Sequence, residues 1–293
     1  MIKTLRVFCV LLVLAALPLS ACAADMRIDS SQDSLVIANA GTLVFEGSVT
    51  LHKGIKVQGG PLTIILLDGA QVQVYGEDGH AAIANNGYRL TIQCEHAGEA
   101  AHQCHSGCGS LRAVGGKDSA GIGGCSSTHP PHGTNIIIRG GNICAMGGDD
   151  AAVIGGADEG DASYIQILGG RVEAIAREIE EDEPFLLRTG SGLEQSGLGA
   201  GENGHTTNIQ IQNVYAWTGE EAEEAAPLNG GQCFSALTDI SDQVAGKAFF
   251  RSGWPNKTVP STGDAAPLLP AAVLAALSAT VLFVIYRRRL QAN

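Results

Sequence analysis

The sequence predicts an all-β protein in which short strands recur and stack into a solenoid of about five to six turns. Three observations support this prediction: apolar residues stand in pairs two positions apart, the intervals between the pairs recur, and glycine pairs fall at the same joints of successive turns. A spacing of two is the alternation of a strand with one buried face. The repeat therefore indicates stacked strands rather than helices.

Each predicted turn contains three strand positions. The first strand carries the pairs Ile65/Leu67, Leu90/Ile92, Ile136/Ile138, Ile165/Ile167 and Ile209/Ile211. The second strand carries Val72/Val74, Leu111/Ala113, Ile143/Ala145, Val172/Ala174 and Val214/Ala216. The third position holds one aliphatic residue in four of the turns, namely Ile83, Ile122, Ile154 and Leu198. One turn cannot bury these faces alone, so neighbouring turns must stack.

The intervals between the pairs favour stacked turns over a two-sheet sandwich. The first and second strands lie five residues apart in three turns, and nine residues separate the second strand from the third position in three turns. A sandwich needs hairpin loops of about two to five residues between its strands. Glycine pairs such as Gly123-Gly124 and Gly155-Gly156 mark the joints, where a bend needs positive φ or close backbone approach.

Three short strands per turn resemble the right-handed parallel β-helix of pectate-lyase-like proteins. The resemblance is architectural and covers roughly residues 35–217. We expect the β-helix over 24–217, with Leu35 to Val57 forming a further rung or a cap, because an open end is an unpaired sheet edge. Residues 218–258 are expected to be a tail or wall spacer, in which Phe249, Phe250 and Trp254 either cover the solenoid or belong to the spacer.

The C-terminal region 259–293 carries a three-part pattern. Val259, Pro260, Ser261, Thr262 and Gly263 precede an apolar stretch at 266–286, and three arginines follow that stretch. A helix of this length spans about 30 Å, the thickness of a bilayer core, and the arginines favour a cytoplasmic end.

This order resembles the sorting signal of Gram-positive surface proteins, in which a sortase recognises Leu-Pro-x-Thr-Gly. Val259 stands where that family most often has Leu. The resemblance implies cleavage between Thr262 and Gly263 and attachment of the chain to cell-wall peptidoglycan, with sortase as a partner. A permanent single-pass anchor is the alternative.

Residues 1–23 have the pattern of a signal peptide. Basic Lys3 and Arg6 precede an apolar core and the small-residue site Ala21-Cys22-Ala23. The segment around Cys22 also resembles a lipobox, which would lipidate that cysteine. Both ends therefore predict an extracellular, wall-anchored protein. The formal net charge of −12 repels phosphate backbones, so we expect no nucleic-acid partner.

Two insertions in the second predicted turn, Gln93 to Ser110 and Cys125 to Thr134, concentrate cysteine and histidine. They contain Cys94, His96, His102, Cys104, His105, Cys108, Cys125, His129 and His132, and the segment that follows the signal peptide adds Cys144 and Cys233. In an exported protein, six such cysteines suggest disulfides. Cys104 and Cys108 with nearby imidazoles also fit a zinc or copper site loosely, and reduced thiols are the third alternative.

A third insertion, at 176–196, is acidic. The candidate carboxylates in it and in the preceding turn are Asp149, Asp150, Glu180, Glu181 and Asp182. Calcium prefers several carboxylate and carbonyl oxygens together, although a solvated charged loop has the same composition. No segment matches the calcium-loop pattern of an EF-hand. Calcium is thus the preferred cofactor candidate, ahead of zinc.

Outward-facing positions predict polar ladders on two faces. On the second strand the outward set is Gln73, Arg112, Cys144, Glu173 and Tyr215, and on the first strand it includes Gln166 and Gln210. Stacked rungs place such side chains about 4.8 Å apart. A polar stripe with an aromatic end suits a sugar-binding surface, and any solvated solenoid face looks similar. We take Gln73, Arg112, Glu173, Tyr215, Gln166 and Gln210 as the candidate ligand face.

These features predict a non-catalytic carbohydrate-binding or adhesive surface protein with polysaccharide as its partner. A glycoside hydrolase needs two or three matched carboxylates, and a β-helix lyase, by that resemblance, needs calcium-binding carboxylates beside an Arg or Lys base. The second-strand stripe offers Glu173 alone, with Arg112 two rungs away, so we assign no catalytic residue. A polysaccharide lyase or hydrolase and a structural surface protein are the alternatives.

Overall fold

The structure, a computed structural model, describes residues 24–98, 103–128, 131–175, 197–219, 226–243 and 247–252. The predicted signal peptide at 1–23 with Cys22, Trp254, the sorting signal at 259–263 and the apolar stretch at 266–286 lie outside these ranges. Within them, the structure contains no helix with the length and apolar character that a membrane crossing requires.

The described residues form 22 strands in three sheets, joined by turns and two short 3₁₀ segments at Leu228–Gly231 and Ser241–Gln243. Sheet A contains β1 (Ala24–Ile28), β3 (Gly41–Phe45), β6 (Leu62–Leu66), β9 (Leu90–Cys94), β12 (Gly133–Ile138), β15 (Ala162–Ile167), β18 (Thr206–Ile211) and β21 (Thr238–Asp239). Sheet B contains β4 (Ser48–Leu51), β7 (Gln71–Tyr75), β10 (Ser110–Val114), β13 (Asn142–Met146), β16 (Arg171–Ile175), β19 (Tyr215–Gly219), β20 (Ala226–Pro227) and β22 (Lys247–Arg251). Sheet C contains β2 (Val36–Ala38), β5 (Ile55–Val57), β8 (Ile83–Ala84), β11 (Ile122–Gly123), β14 (Ile154–Gly155) and β17 (Leu198–Gly199).

From β3 to β18 the chain passes through sheets A, B and C in rotation. Strands three positions apart pair in parallel, so that β6 pairs with β9, β7 with β10 and β8 with β11. Five complete turns result, from β3–β5 to β15–β17, with partial turns on either side. Long parallel sheets of this kind are those of a β-helix or solenoid, and the predicted all-β class is confirmed.

The core follows the predicted alternation except in one strand. In the other four predicted turns the first-strand pairs are fully buried, as are all the second-strand pairs and the third-position residues. In β6, however, the buried residues are Leu62, Ile64 and Leu66 rather than the predicted Ile65 and Leu67. Five of the six residues at 62–67 are apolar, so the run carries no alternation to fix its phase, and a slip of one residue exchanges the two faces.

The segment Leu35 to Val57 forms a further rung. Strands β3, β4 and β5 make a complete turn below β6–β8, with Phe45, Val49 and Leu51 buried in the core. Strands β1 and β2 begin another turn beneath it, pairing with β3 and β5.

The C-terminal strands close the other end and extend past the expected boundary at residue 217. Strand β22 runs antiparallel between β16 and β19, and β21 pairs antiparallel with β18. Phe250 on β22 is 1% exposed, which fits the alternative in which this segment covers the solenoid. The parallel ladder of sheet B is therefore interrupted after β16.

Candidate functional site

A groove of about 440 Å³ runs over the outer face of sheet B, across strands β7, β10, β13 and β16. In each of these five-residue strands the second residue is apolar and points into the core; these residues are Val72, Leu111, Ile143 and Val172. The residues before and after each of them therefore face outward. The groove is wide open, which suits an extended ligand better than an enclosed small molecule.

Two parallel rows of polar side chains form the floor of the groove. The first row is the predicted one, with Gln73, Arg112, Cys144 and Glu173 in direct register on neighbouring strands. The second row lies two residues earlier on the same strands and comprises Gln71, Ser110, Asn142 and Arg171. Four strands spaced about 4.8 Å apart extend each row over about 14 Å.

Tyr215 does not continue the first row, and its predicted position beside Glu173 is wrong. Because β22 separates β16 from β19, the neighbour of Glu173 is Phe249. Tyr215 pairs with Arg251, which in turn pairs with Arg171. The prediction assumed that the parallel stacking continues. The repeat gives no sign that an antiparallel strand is inserted there, although Val172 pairs with Phe250, 78 residues further along the chain.

Gln166 and Gln210 occupy a different face. They lie in register on β15 and β18 of sheet A, and the Gln166 Nε2 donates to Gln210 Oε1 at 2.8 Å. The Gln210 Nε2 in turn donates to Asn208 Oδ1 at 3.3 Å. The predicted ligand face is thus divided between two sheets, and of its members Gln73, Arg112 and Glu173 line the groove.

The two arginines of the groove differ in whether they form an ion pair. Glu173 Oε1 accepts hydrogen bonds from Arg171 Nη2 at 2.8 Å and Nε at 3.0 Å, and the Glu173 carboxylate is almost wholly buried against that guanidinium. Arg112 is exposed, and its Nη2 lies 3.5 Å from the sulfur of Met146. Among the described residues, no carboxylate lies within ion-pair distance of Arg112. Of the two arginines that line the groove, Arg112 is therefore the one whose charge is not taken up by Glu173.

The loop that precedes β10 forms one wall of the groove through Ser106. The Asn142 side-chain Nδ2 donates to the carbonyl oxygens of His105 at 3.0 Å and Cys108 at 2.9 Å. Ser110 Oγ donates to the Ala70 carbonyl oxygen at 3.1 Å. These bonds fix the loop to the rungs on either side of β10.

A cluster of three thiols lies behind this wall. The sulfur atoms of Cys94, Cys104 and Cys108 all lie within 4.8 Å of one another, and the Cys94 and Cys104 sulfurs are 3.6 Å apart. The structure contains no disulfide among the six described cysteines. Cys94 ends strand β9, whereas Cys104 and Cys108 belong to the loop.

The local environment raises the pKa of each thiol for which a change is resolved. The hydrogen bond with Cys94 is the largest cause of the raised pKa of Cys104, and burial adds to it. Burial is the main cause of the raised pKa values of Cys108, Cys125 and Cys233. All of these groups are protonated thiols at neutral pH unless a cation compensates for their charge.

Of the other predicted metal ligands that the structure describes, only His96 lies in a group with metal-ligand spacing. Its ring lies with the carboxylates of Asp68 and Glu95, with ligand atoms within 4.8 Å of one another. His105 is exposed in the loop, where its Nδ1 accepts the Gly107 N–H at 3.0 Å. His102 and His129 lie outside the described residues.

The remaining cysteines and His132 are dispersed. Cys125 packs with Ala81 and Ala84 in a small apolar cluster of its own, and its sulfur accepts the Ala81 N–H at 3.2 Å. Cys144 lines the groove, and Cys233 is half-buried in the C-terminal segment. His132 lies beside Asp161. The seven of the nine candidate soft-metal ligands that the structure describes thus do not converge on one point.

The acidic residues proposed for calcium fall in two parts. Glu180, Glu181 and Asp182 lie outside the described residues. Asp149 and Asp150 belong to neither of the groups with metal-ligand spacing found among the described residues. Their charges, after burial, contribute to the raised pKa of Asp118 on the preceding turn.

Sequence reasoning missed the second row and the loop wall. Asn142 and Arg171 precede Cys144 and Glu173 by two residues, so the same alternation that identified the first row places them on the same face. Ser106 carries no such signal, because only the folded loop brings it to the groove.

Comparison with known proteins assigns no function to the groove or to the thiol cluster. The chain matches no family model, and no curated protein or solved structure is similar to it.

Proposed function

We propose that this chain is an exported, wall-anchored surface protein that binds a polysaccharide in the sheet-B groove without cleaving it. The observation that carries the proposal is the pair of parallel polar rows, which place eight amide, hydroxyl, thiol and charged side chains along about 14 Å of an open groove. A chain of sugar units offers hydroxyl groups at regular intervals, and such rows pair with them by repeated hydrogen bonds.

The charges in the groove favour a polysaccharide that carries carboxylates. Arg112 is exposed on the groove floor, and a guanidinium binds a carboxylate with two parallel hydrogen bonds. Arg171 is already engaged with Glu173 through Oε1. Arg112 is accordingly the residue that distinguishes an acidic polysaccharide from a neutral one.

The composition of the groove supports binding over hydrolysis. Of the described residues that line it, only Glu173 carries a carboxylate, and the Arg171 guanidinium holds one of its oxygens. Glycoside hydrolysis takes an acid and a second carboxylate at a defined separation. A binding groove needs neither.

A lyase is the second candidate, and one observation favours it. Arg112 and Glu173 line the same groove, on strands separated only by β13. A lyase would remove a proton from the sugar ring with a basic side chain while a cation neutralises the carboxylate of the substrate. The electron pair of that C–H bond would form a double bond in the ring, and the glycosidic C–O bond would break to give a new chain end. New chain ends in the polysaccharide distinguish this activity from binding.

The cellular location that we propose rests on the sequence. We propose a right-handed parallel β-helix, in keeping with the handedness of parallel crossovers, exported through the segment at 1–23. Sortase then recognises Val259 to Gly263 and joins Thr262 to peptidoglycan. Mass spectrometry of the protein released from digested cell walls tests this: a C-terminus at Thr262 is expected, whereas full-length chain in the membrane fraction supports the single-pass alternative.

The groove is tested by incubating the purified protein with a panel of neutral and acidic polysaccharides, including pectins, with calcium and then with a chelator. Retention of the protein on acidic members without new chain ends is the expected result. Loss of retention on chelation would assign calcium a bridging role. New chain ends would favour the lyase, and no retention on any member would favour a structural surface protein.

A further inference from the structure

The three thiols behind the groove wall have the arrangement of a metal centre. We propose that Cys94, Cys104 and Cys108 bind a soft d¹⁰ cation, zinc or cuprous copper, as a three-thiolate site that fixes the loop forming the wall of the groove. This inference concerns a second site and does not rest on polysaccharide binding.

The spacing of the sulfurs fits a shared metal ion. Zinc binds thiolate sulfur at about 2.3 Å, which places the sulfurs of a tetrahedral site about 3.8 Å apart. The Cys94 and Cys104 sulfurs are 3.6 Å apart, and all three sulfurs lie within 4.8 Å of one another. Small side-chain rotations would bring all three into contact with one ion.

The surrounding backbone is built to hold sulfur at this point. The Gly141 N–H donates to the Cys104 sulfur at 3.1 Å, and the His105 N–H donates to the Cys108 sulfur at 3.4 Å. Such bonds orient and stabilise thiolate ligands of a metal.

Gly140 makes room for the cluster. A Cβ at Gly140 would lie 2.7 Å from the Cys94 sulfur and 3.3 Å from the Cys104 sulfur. The turn between β12 and β13, one rung away from β9, thus supplies both a backbone donor and the space that the three sulfurs occupy.

The number of thiols separates a metal centre from a disulfide. A disulfide between Cys94 and Cys104 would use two sulfurs and leave Cys108, 2% exposed, as a third thiol beside it. A soft cation uses all three, and it displaces their protons to solvent on binding. Thiolate ligands favour zinc and cuprous copper over calcium or magnesium.

The site would act on the groove through the loop. Cys104 and Cys108 flank Ser106, which lines the groove, and Asn142 ties the carbonyl of Cys108 to the groove floor. A metal joining both loop cysteines to Cys94 at the end of β9 holds this wall against the solenoid. Zinc at a hundred times its dissociation constant would raise the ratio of folded to unfolded protein about a hundredfold.

The test is metal binding by the full-length protein, purified under reductant, measured by elemental analysis after dialysis against zinc alone and, separately, cuprous copper alone. One ion per chain is expected with at least one of the two metals. Cys94→Ser, Cys104→Ser and Cys108→Ser each lose that ion, whereas the matched variant Cys125→Ser, at another buried cysteine, retains it.

A spectroscopic measurement covers the case in which the serine variants fail to fold. Cobalt substituted into the wild-type protein gives sulfur-to-metal charge-transfer absorption, and X-ray absorption of the bound ion counts three sulfur neighbours if the assignment is correct. No bound ion with either metal in the reduced protein, a sulfur count below three, or loss of the ion in Cys125→Ser would overturn it. A Cys94–Cys104 disulfide that resists mild reductant would also overturn it.

Discussion

Sheets B and C wind around the same core but present opposite kinds of surface. Strands β7, β10, β13 and β16 of sheet B contribute five residues each and carry two rows of polar side chains on their outer face. Sheet C strands β8 to β17 contribute two residues each, and their glycines Gly123, Gly155 and Gly199 stack in register. There, backbone packs on backbone: a Cβ at Gly155 would overlap the Gly199 carbonyl oxygen.

The difference shows how one repeat separates stability from chemistry. At sheet C a Cβ at Gly123 or Gly155 would overlap the backbone of the next rung, and the residues beside them, such as Ile154, are wholly buried. At sheet B the first and third residues of β7 and β10 are exposed or half-buried, so these positions are free to take amides, hydroxyls and charges. We therefore expect mutations on sheet C to change stability, and mutations on the outer face of sheet B to change binding.

The largest expected effect is the loss of stability in Gly155→Ala. The new Cβ would overlap the Gly199 backbone, and Gly155 has φ of +147°, a conformation that alanine rarely adopts. We expect the free energy of unfolding to fall by about 3 kcal/mol or more, measured by urea denaturation. Gly98→Ala is the control, since a Cβ at Gly98 meets nothing within 4 Å. Equal stability of the two variants would contradict the claim that the sheet C glycines are required for stability.

Arg171→Met is expected to have a smaller effect on stability, and it tests the one ion pair of the groove. Glu173 is 7% exposed. Removing the guanidinium leaves its carboxylate without the two hydrogen-bond donors that contact Oε1. Because Arg171 is itself half-exposed, we expect a loss of about 1–2 kcal/mol. The double variant Arg171→Met/Glu173→Gln should recover part of it. If the single variant unfolds like wild type, the pair does not stabilise the fold.

Arg112→Ala should weaken binding rather than folding. The guanidinium is exposed, so its removal costs little stability, but a carboxylated ligand loses charge-assisted hydrogen bonds. We expect at least a tenfold rise in the dissociation constant, or about 1.4 kcal/mol, measured by isothermal titration with whichever acidic polysaccharide is retained. Lys117→Ala, an exposed cation on the turn from sheet B to sheet C, should bind as wild type does. Equal losses in both variants would indicate non-specific charge attraction.

The smallest expected effect is a gain in stability for Asp118→Asn near neutral pH. Burial and the nearby Asp150 and Asp149 hold the pKa of Asp118 above its ordinary value of 3.8. The protonated form is favoured by folding, so its stabilisation is complete below pH 3.8 and is lost as the pH rises through the raised pKa. The variant should gain a few tenths of a kcal/mol at pH 7, because solvent screens a partly exposed group, and nothing at pH 3.

Asp161→Asn is expected to change the stability in the opposite direction. The His205 backbone N–H, which Asp161 accepts at 2.8 Å, is the main cause of the lowered pKa of this carboxyl. Its contribution to stability is present above the ordinary pKa and is lost as the pH falls through the lowered one. This variant should therefore lose stability at neutral pH. Thermal unfolding at several pH values separates the two aspartates, and shifts of the same sign would refute one of the two assignments.

The accuracy of the sequence-based predictions follows the strength of the local pattern. Strands such as β10 and β13 alternate apolar and polar residues, so their buried faces and the row Gln73, Arg112, Cys144 and Glu173 were predictable. The run at 62–67 lacks that alternation, and its predicted faces were exchanged. Periodicity fixes the register only where both classes of residue are present.

Contacts between distant segments could not be predicted in the same way. Strand β22 enters sheet B from a segment outside the repeat, so nothing local indicates that it displaces Tyr215 from the row. The thiol cluster likewise depends on Gly140 and Gly141, more than 30 residues beyond Cys108. The spacing of the cysteines in the sequence suggested metal ligands. Only the stacking of the rungs shows which three of the six described cysteines come together.

Amide hydrogen exchange is the first measurement to make, because it shows whether a ligand binds on the outer face of sheet B. The purified protein would be compared with and without a saturating acidic polysaccharide, at the two loops that flank strand β10. Slower exchange at 103–110, beside the groove, with no change at 115–121, beside sheet C, is the predicted result. Protection of 115–121 alone, or no protection of either loop despite retention on the polysaccharide, would contradict the assignment of the groove as the binding site.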